Sequence, residues 1–205
     1  CSKDNGDKDK PVPLKHTDMK DIEKYIAEFT SGTISAYSDI VIKLNSEIDL
    51  IAEHQEGDLI NEDILIISPK VGYTAIWLDS RTIKISPVQK FENGTLYSID
   101  LHLDKVIKDI PESNNLFSFQ TATPQLDFDI KLTDTEIIQE KDKFYQKITG
   151  LITTSDKVLN QDIEKVIKLN AKNINILWEH YSEENKHYFK ISGIEKGSKT
   201  YEITL

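Results

Sequence analysis

The sequence predicts a mainly β protein: two tandem β-sandwiches, the second carrying one short helix. Three observations predict it. Apolar and polar residues alternate, with the period of a half-buried strand, through Ile40–Leu44, 82–86 and 96–103. Turn signals such as Asp79-Ser80-Arg81, Glu92-Asn93-Gly94 and Asn114-Asn115 separate these runs at roughly the 8–12-residue spacing of a sandwich. In the second half a helical face emerges at Ile163, Val166 and Ile167, with Asp162, Glu164, Lys165 and Lys168 outside it.

The elements follow in chain order. Residues 1–16 read as a disordered tether: CSKDNGDKDKPVP holds no aromatic residue and Val12 as its one aliphatic, so nothing there offsets the entropy of ordering the backbone. The first sandwich is expected over 17–122. Met19, Ile22, Ile26 and Phe29 are helically spaced while Tyr25, Ala27 and Phe29 alternate, which predicts a helical turn leading into a strand near 25–29. Strands follow at Ile40–Leu44, at 63–68 (DILIIS, stopped by Pro69), at 73–78, at 82–86 (stopped by Pro87), at 96–103 and at 116–121. Ala122-Thr123-Pro124-Gln125 carries no core signal and a proline that cannot join a ladder, so a boundary falls there. The second sandwich is expected over 123–205. It opens on the alternation Leu126, Phe128, Ile130, Leu132 and continues through a strand at 143–153, the short helix, and strands at 174–180, 188–192 and 200–205.

Charge and composition exclude function classes. The 205 residues carry 25 Lys and Arg against 35 Asp and Glu, a net charge of −10. Nucleic-acid binding needs a basic footprint to displace counterions, so no nucleic-acid partner is expected. No apolar run approaches the ~20 residues that cross a bilayer as a helix. The one cysteine, Cys1, permits no internal disulfide.

Two resemblances add to this reading. Cys1 followed by Ser2 and a polar tether resembles a processed bacterial lipoprotein, in which the cysteine carries acyl chains; each methylene buried in the membrane contributes ~0.8 kcal/mol. That likeness implies lipidation at Cys1 and an outer-membrane lipoprotein, periplasmic or surface-exposed, since Ser2 rather than Asp follows the cysteine. The stretch from Ser2 to Asp7 loosely resembles the surface-export signal of Bacteroidetes lipoproteins, with Asn5 and Gly6 interrupting the acidic run. Further on, Pro87, Phe91, Gly94, Thr95 and Tyr97, followed by Phe117, Phe119 and Thr121, resemble the turn-and-strand signature of bacterial Ig-like domains. Together with ITGLITTSDKVLNQDIEKVIKL, NINILWEHY and HYFKISGI, in this order behind Cys1, they resemble the N-terminal Ig-like and macroglobulin-type domains of Bacteroidetes alpha-2-macroglobulin-family lipoproteins, over roughly residues 25–205.

The family resemblance implies a much longer protein that binds proteases through a bait region and, in some members, a Cys-Gly-Glu-Gln thioester. This sequence holds neither motif, so protease trapping is expected downstream of residue 205. The expected role is a non-catalytic spacer and docking module. Its partners would be the following domains of the same chain, proteases through the full-length protein, and the membrane through lipid on Cys1. The alternative is an Ig-like adhesin or glycan-binding module of a surface lipoprotein.

Candidate chemistry is sparse. His16, His54, His102, His180 and His187 form no H-x-x-x-H or H-E-x-x-H pattern. His180 and His187 flank the hairpin HYSEENKH; a metal clip there would also want Glu179 or Glu183, and a solvated hairpin end is the plainer expectation. DNGDKD lacks the later ligand positions of an EF-hand. No G-x-S-x-G is present, and Asp127 and Asp129 alternate with apolar residues as the wet face of a strand. No catalytic residue, cofactor or metal site is therefore expected. Trp77 and Trp178 are expected as core anchors rather than glycan platforms. Arg81, the only arginine, suits a fork to a carboxylate such as Asp79 or an interdomain partner, or turn architecture. Asn93-Gly94-Thr95 matches a glycosylation sequon that a turn explains better.

Overall fold

The computed structural model describes residues 22–169, 174–197 and 203–204. The expected tether, with Cys1, and most of the expected strand over 200–205 lie outside the described residues. Chain contacts divide the protein into two compact units. The first runs to Gly32 and takes up again at Asp39–Gln89 and Leu96–Thr121; the second holds Thr33–Ser38, Lys90–Thr95 and the chain from Ala122 onward. The fold is mainly β, built of antiparallel sheets with one short helix.

The first unit contains two four-stranded sheets. A turn closed by Tyr25 N–H donating to Ile22 O leads into β1 (Ile26–Phe29). One sheet orders β1, β3 (Ile40–Leu44), β6 (Thr82–Pro87) and β5 (Tyr73–Trp77). The other orders β2 (Gly32–Thr33), β8 (Leu116–Ala122), β7 (Leu96–His102) and β4 (Leu65–Ser68). Alternation in the sequence becomes alternation in burial. Ile42 lies opposite Ile83, which lies opposite Trp77; Ile40, Ile85 and Ala75 form the neighbouring row, and all six are buried. In the other sheet Leu65 faces Leu101 and Ile67 faces Ile99, again all buried. Phe29 joins the two sheets, its ring 5.1 Å from Phe117 and 5.0 Å from Phe119 in edge contacts. The Tyr73 hydroxyl donates to Leu65 O across the same gap.

The second unit is organised on a sheet ordered β12 (Asn175–Tyr181), β13 (Lys186–Glu195), β10 (Lys143–Thr154) and β9 (Phe128–Glu140). A two-stranded ladder pairs β11 (Lys168–Leu169) with β14 (Ile203–Thr204). Helix α1 (Asn160–Ile163) is one turn long, too short to be stable alone. It is held because Ile163 and Ile167 are buried in one cluster with Ile152, Phe189, Ile191 and Ile194. Gly150 makes this packing possible. A β-carbon there would overlap the Cζ–Cε1 edge of the Phe189 ring and lie 2.9 Å from Lys131 O, so the absence of a side chain lets the ring lie on the backbone.

The expected strand at 143–153 is longer by one residue, and its partner was not legible. Beyond Leu132, β9 continues through TDTEIIQE to Glu140, then returns through a two-residue turn, Lys141-Asp142, with Lys141 at φ 56°. That turn carries neither Gly nor Asn, the usual residues at positive φ, so no hairpin signal marks it in the sequence. A register shift between Thr149 and Gly150 leaves Thr133 as the extra residue of a bulge in β9.

A buried polar node completes the second unit. Asp156 is 3% exposed; one carboxylate oxygen accepts from Ala36 N–H at 2.8 Å and Asn93 Nδ2 at 3.2 Å, the other from Lys157 N–H at 2.8 Å. The Asn93 amide of the sequon is thus engaged, and Gly94, at φ 67°, makes the expected turn.

Candidate functional site

The β12–β13 hairpin brings together two of the residues singled out from sequence. His180 and His187 are direct cross-strand partners. Their Nδ1 atoms lie 2.9 Å apart, and their rings meet edge to face with centroids 5.1 Å apart. Trp178 stacks nearly parallel to His180 at 5.7 Å, with an 8° interplanar angle. On its other side His180 Nε2 reaches Glu164 Oε1 at 3.2 Å.

The expected solvated hairpin end is corrected here. His187 is 0% exposed, because β13 begins at Lys186 and places His187 in the inward row with Phe189 and Ile191. The carboxylate differs as well. Glu183 pairs with Lys157 at 3.0 Å, and Glu179 accepts from the Tyr181 hydroxyl. Glu164, just past α1, is the one that meets the histidines. A one-turn helix followed by a turn carries this residue over the sheet, and no local pattern announces that.

The geometry selects protonation states. Glu164 accepts from His180 Nε2–H, which leaves the Nδ1 of a neutral His180 as an acceptor. His187 Nδ1–H then donates to it, and His187 Nε2, which has no hydrogen-bond partner among the described residues, is a bare lone pair. Burial and the neighbouring His180 both hold the His187 pKa below the ordinary imidazole value. Among the described residues no group of three or more His, Cys, Asp or Glu side chains is placed to bind a metal.

The remaining candidates resolve separately. Trp77 is 3% exposed and stacked on His54 at 4.0 Å, while Trp178 is half-buried against the second unit's core. Arg81 makes no carboxylate fork among the described residues. One guanidinium nitrogen donates to Asn45 O at 2.7 Å and Ile48 O at 3.0 Å, and the Arg81 N–H donates to Asp79 Oδ1 at 2.8 Å. The arginine therefore stitches a loop to the 79–81 turn. Asp127 accepts from Phe128 N–H, and Asp129 pairs with Lys131 at 3.3 Å on the exposed side of β9. His102 lies 3.8 Å from Asp104, and His16 is outside the described residues.

Four exposed apolar side chains of the second unit lie on one face of its sheet, while Leu177, 64% exposed, lies on the other. Phe128, Leu132 and Ile137 on β9 and Phe144 on β10 are 55, 67, 54 and 47% exposed. Register places them with Ile152 and Ile148 on one face, since Leu132 opposes Gly150, Ile137 opposes Gln146 and Phe144 opposes Gln139. On the opposite face Tyr181 and Tyr188 meet edge to face at 5.7 Å and line a shallow groove with Glu179, Glu184 and Lys186.

No family model matches this chain, and no curated protein matches it at a significant level. The described helices include none long and apolar enough to cross a membrane. What bears on function is a cross-strand histidine pair with one ring buried, and a sheet with apolar groups exposed along its outer strand.

Proposed function

We propose that this chain is a non-catalytic spacer and docking module of a surface lipoprotein resembling the alpha-2-macroglobulin family. In this reading lipid on Cys1 ties it to the outer membrane, and protease-trapping domains follow it in the same protein. The observation that supports docking is the apolar surface of the second unit, where Phe128, Leu132, Ile137 and Phe144 share one sheet face. Exposed apolar groups that share one face suit a contact site. The Ig-like and macroglobulin-type signatures in the sequence support the family.

Reading the gene beyond residue 205 tests this directly. A continuation into further macroglobulin-type domains is the expected result. A stop within one domain length, ~100 residues, or a continuation into a glycoside hydrolase overturns it. Anchorage has its own test: alkyne-palmitate labelling that Cys1→Ser abolishes is expected, and labelling unchanged by that substitution overturns it.

The Tyr181–Tyr188 groove favours a second reading, an Ig-like glycan-binding module, because paired aromatics beside carboxylates and an amine suit a sugar face and its hydroxyls. Buried Trp77 offers no such platform. Saturable binding on a glycan array, removed by Tyr181→Ala, would select this reading over the spacer.

A further inference from the structure

The outer strand of the second unit's sheet is unevenly protected. β9 is 13 residues long and lies at the end of the strand order, so β10 satisfies its backbone on one side, and among the described residues no strand lies on the other. Exposed edges of this kind are templates for pairing unless a bulge, a proline or charged side chains, lysine above all, blunt them. The first half of β9 is blunted: it carries Lys131 and runs into the bulge at Thr133. The second half, Asp134–Glu140, has no bulge, lysine or proline; its charges are all acidic, which repel another acidic strand but not a basic one. Its register with β10 is unbroken from Asp134 opposite Thr149 to Glu140 opposite Lys143.

That run has two chemically different sides. Asp134, Glu136, Ile138 and Glu140 point to one face; Thr135, Ile137 and Gln139 point to the other. The three carboxylates have no basic residue between them on the strand, and Lys147 of β10 meets Glu136 at 2.8 Å. Ile137, more than half exposed, is the apolar group on the opposite side.

We propose that Asp134–Glu140 is an acceptor edge for an extended basic segment, which adds as a fifth antiparallel or parallel strand with Lys or Arg facing Asp134, Glu136 and Glu140 and an apolar side chain facing Ile137. Main-chain hydrogen bonds hold such a segment, and alternate side chains select it. Charge complementarity fixes the sign of the partner. A second copy of this chain would bring the same acidic run against itself, and like charges directly opposite each other in a ladder are destabilising. The inference does not depend on the macroglobulin reading; a gene that stops after residue 205 would leave it standing.

The test uses the full chain and three synthetic ten-residue probes followed by fluorescence anisotropy: alternating Lys-Val, alternating Glu-Val, and the Lys-Val peptide N-methylated at every second residue. The Lys-Val probe is expected to bind at least tenfold more tightly than either of the others. Its binding should weaken as salt is raised. The double variant Asp134→Lys/Glu140→Lys should lose at least tenfold in affinity, while Asp129→Lys, in the blunted half, should bind as the parent does. Circular dichroism of each variant confirms that the sheet is intact. Equal binding of the N-methylated probe would reduce the effect to charge attraction and overturn strand addition. A dimer in sedimentation that Ile137→Lys dissolves would make a second copy the occupant and overturn the basic partner.

Discussion

His180 and His187 meet Nδ1 to Nδ1 at 2.9 Å, one ring anchored by Glu164 and the other sealed in the core of the second unit. A hydrogen bond between two such nitrogens requires one donor and one acceptor. Doubly protonated rings are both donors, so the contact survives only while the pair carries fewer than its full complement of protons.

Acid should therefore loosen the second unit. The His187 pKa is lowered in the folded state, by burial first and by His180 second. The unfolded chain then binds more protons than the native one as pH falls below the ordinary histidine value of ~6.5, and stability drops through that window. Above it the contribution is fully present. A tenfold weakening of one imidazole's proton affinity on folding corresponds to about 1.4 kcal/mol. Urea denaturation between pH 5 and 8 should show the decline, and His187→Gln should flatten it. A parent profile already flat below pH 6.5 would contradict the assignment.

Gly150→Ala should destabilise the second unit by about 1–3 kcal/mol, the range for forcing atoms into a filled core. The new methyl group would meet the Phe189 ring and Lys131 O. Phe189→Leu in the same chain should recover part of the loss, because the ring is the nearer obstacle. Additive losses in the double-mutant cycle would show that the two residues do not touch.

Asp156→Ala should be among the more damaging polar substitutions, by roughly 3 kcal/mol, because it strips acceptors from buried donors. Ala36 N–H and Lys157 N–H lose this carboxylate at once, and Asn93 Nδ2 is left with only Pro124 O at 3.4 Å. Asp156→Asn keeps most acceptor geometry and should lose less. Thermal melts of both variants decide the order; an Ala variant as stable as the parent would remove the node from the account.

Arg81→Lys should cost about 1 kcal/mol despite conserving charge. A lysine ammonium on its flexible stem does not hold one donor nitrogen between Asn45 O and Ile48 O as the rigid guanidinium does. Faster proteolysis in the 45–55 loop, at unchanged digestion of β3, is the expected local signature. Indistinguishable cleavage of parent and variant would show the fork to be dispensable.

Legibility in the sequence followed the range of the interactions. The rows Ile40, Ile42, Leu44 and Tyr97, Ile99, Leu101 were readable because a strand's two faces alternate residue by residue, and all six are buried. The Asn93-Gly94 turn was readable because positive φ has a known residue preference. The far half of β9 was not, since TDTEIIQE sets its two isoleucines side by side, one on each face, with no alternation to read, and its turn lacks Gly or Asn. The histidine pair was half legible: the hairpin put the residues near each other, but only the strand boundary at Lys186 turned His187 inward. Glu164 gave no signal at all.

A mainly β chain with one short helix, the inward rows of its strands and a net charge of −10 all follow from the order of the residues. These are local properties, written in period and composition. Folding had to settle that Asp156 answers Ala36, 120 residues away, that Arg81 holds carbonyls rather than a carboxylate, and that Asp134–Glu140 stands at an open sheet edge. Each of those depends on which strands become neighbours, and pairing is settled by the packing of the whole unit, not by any stretch of residues short enough to read.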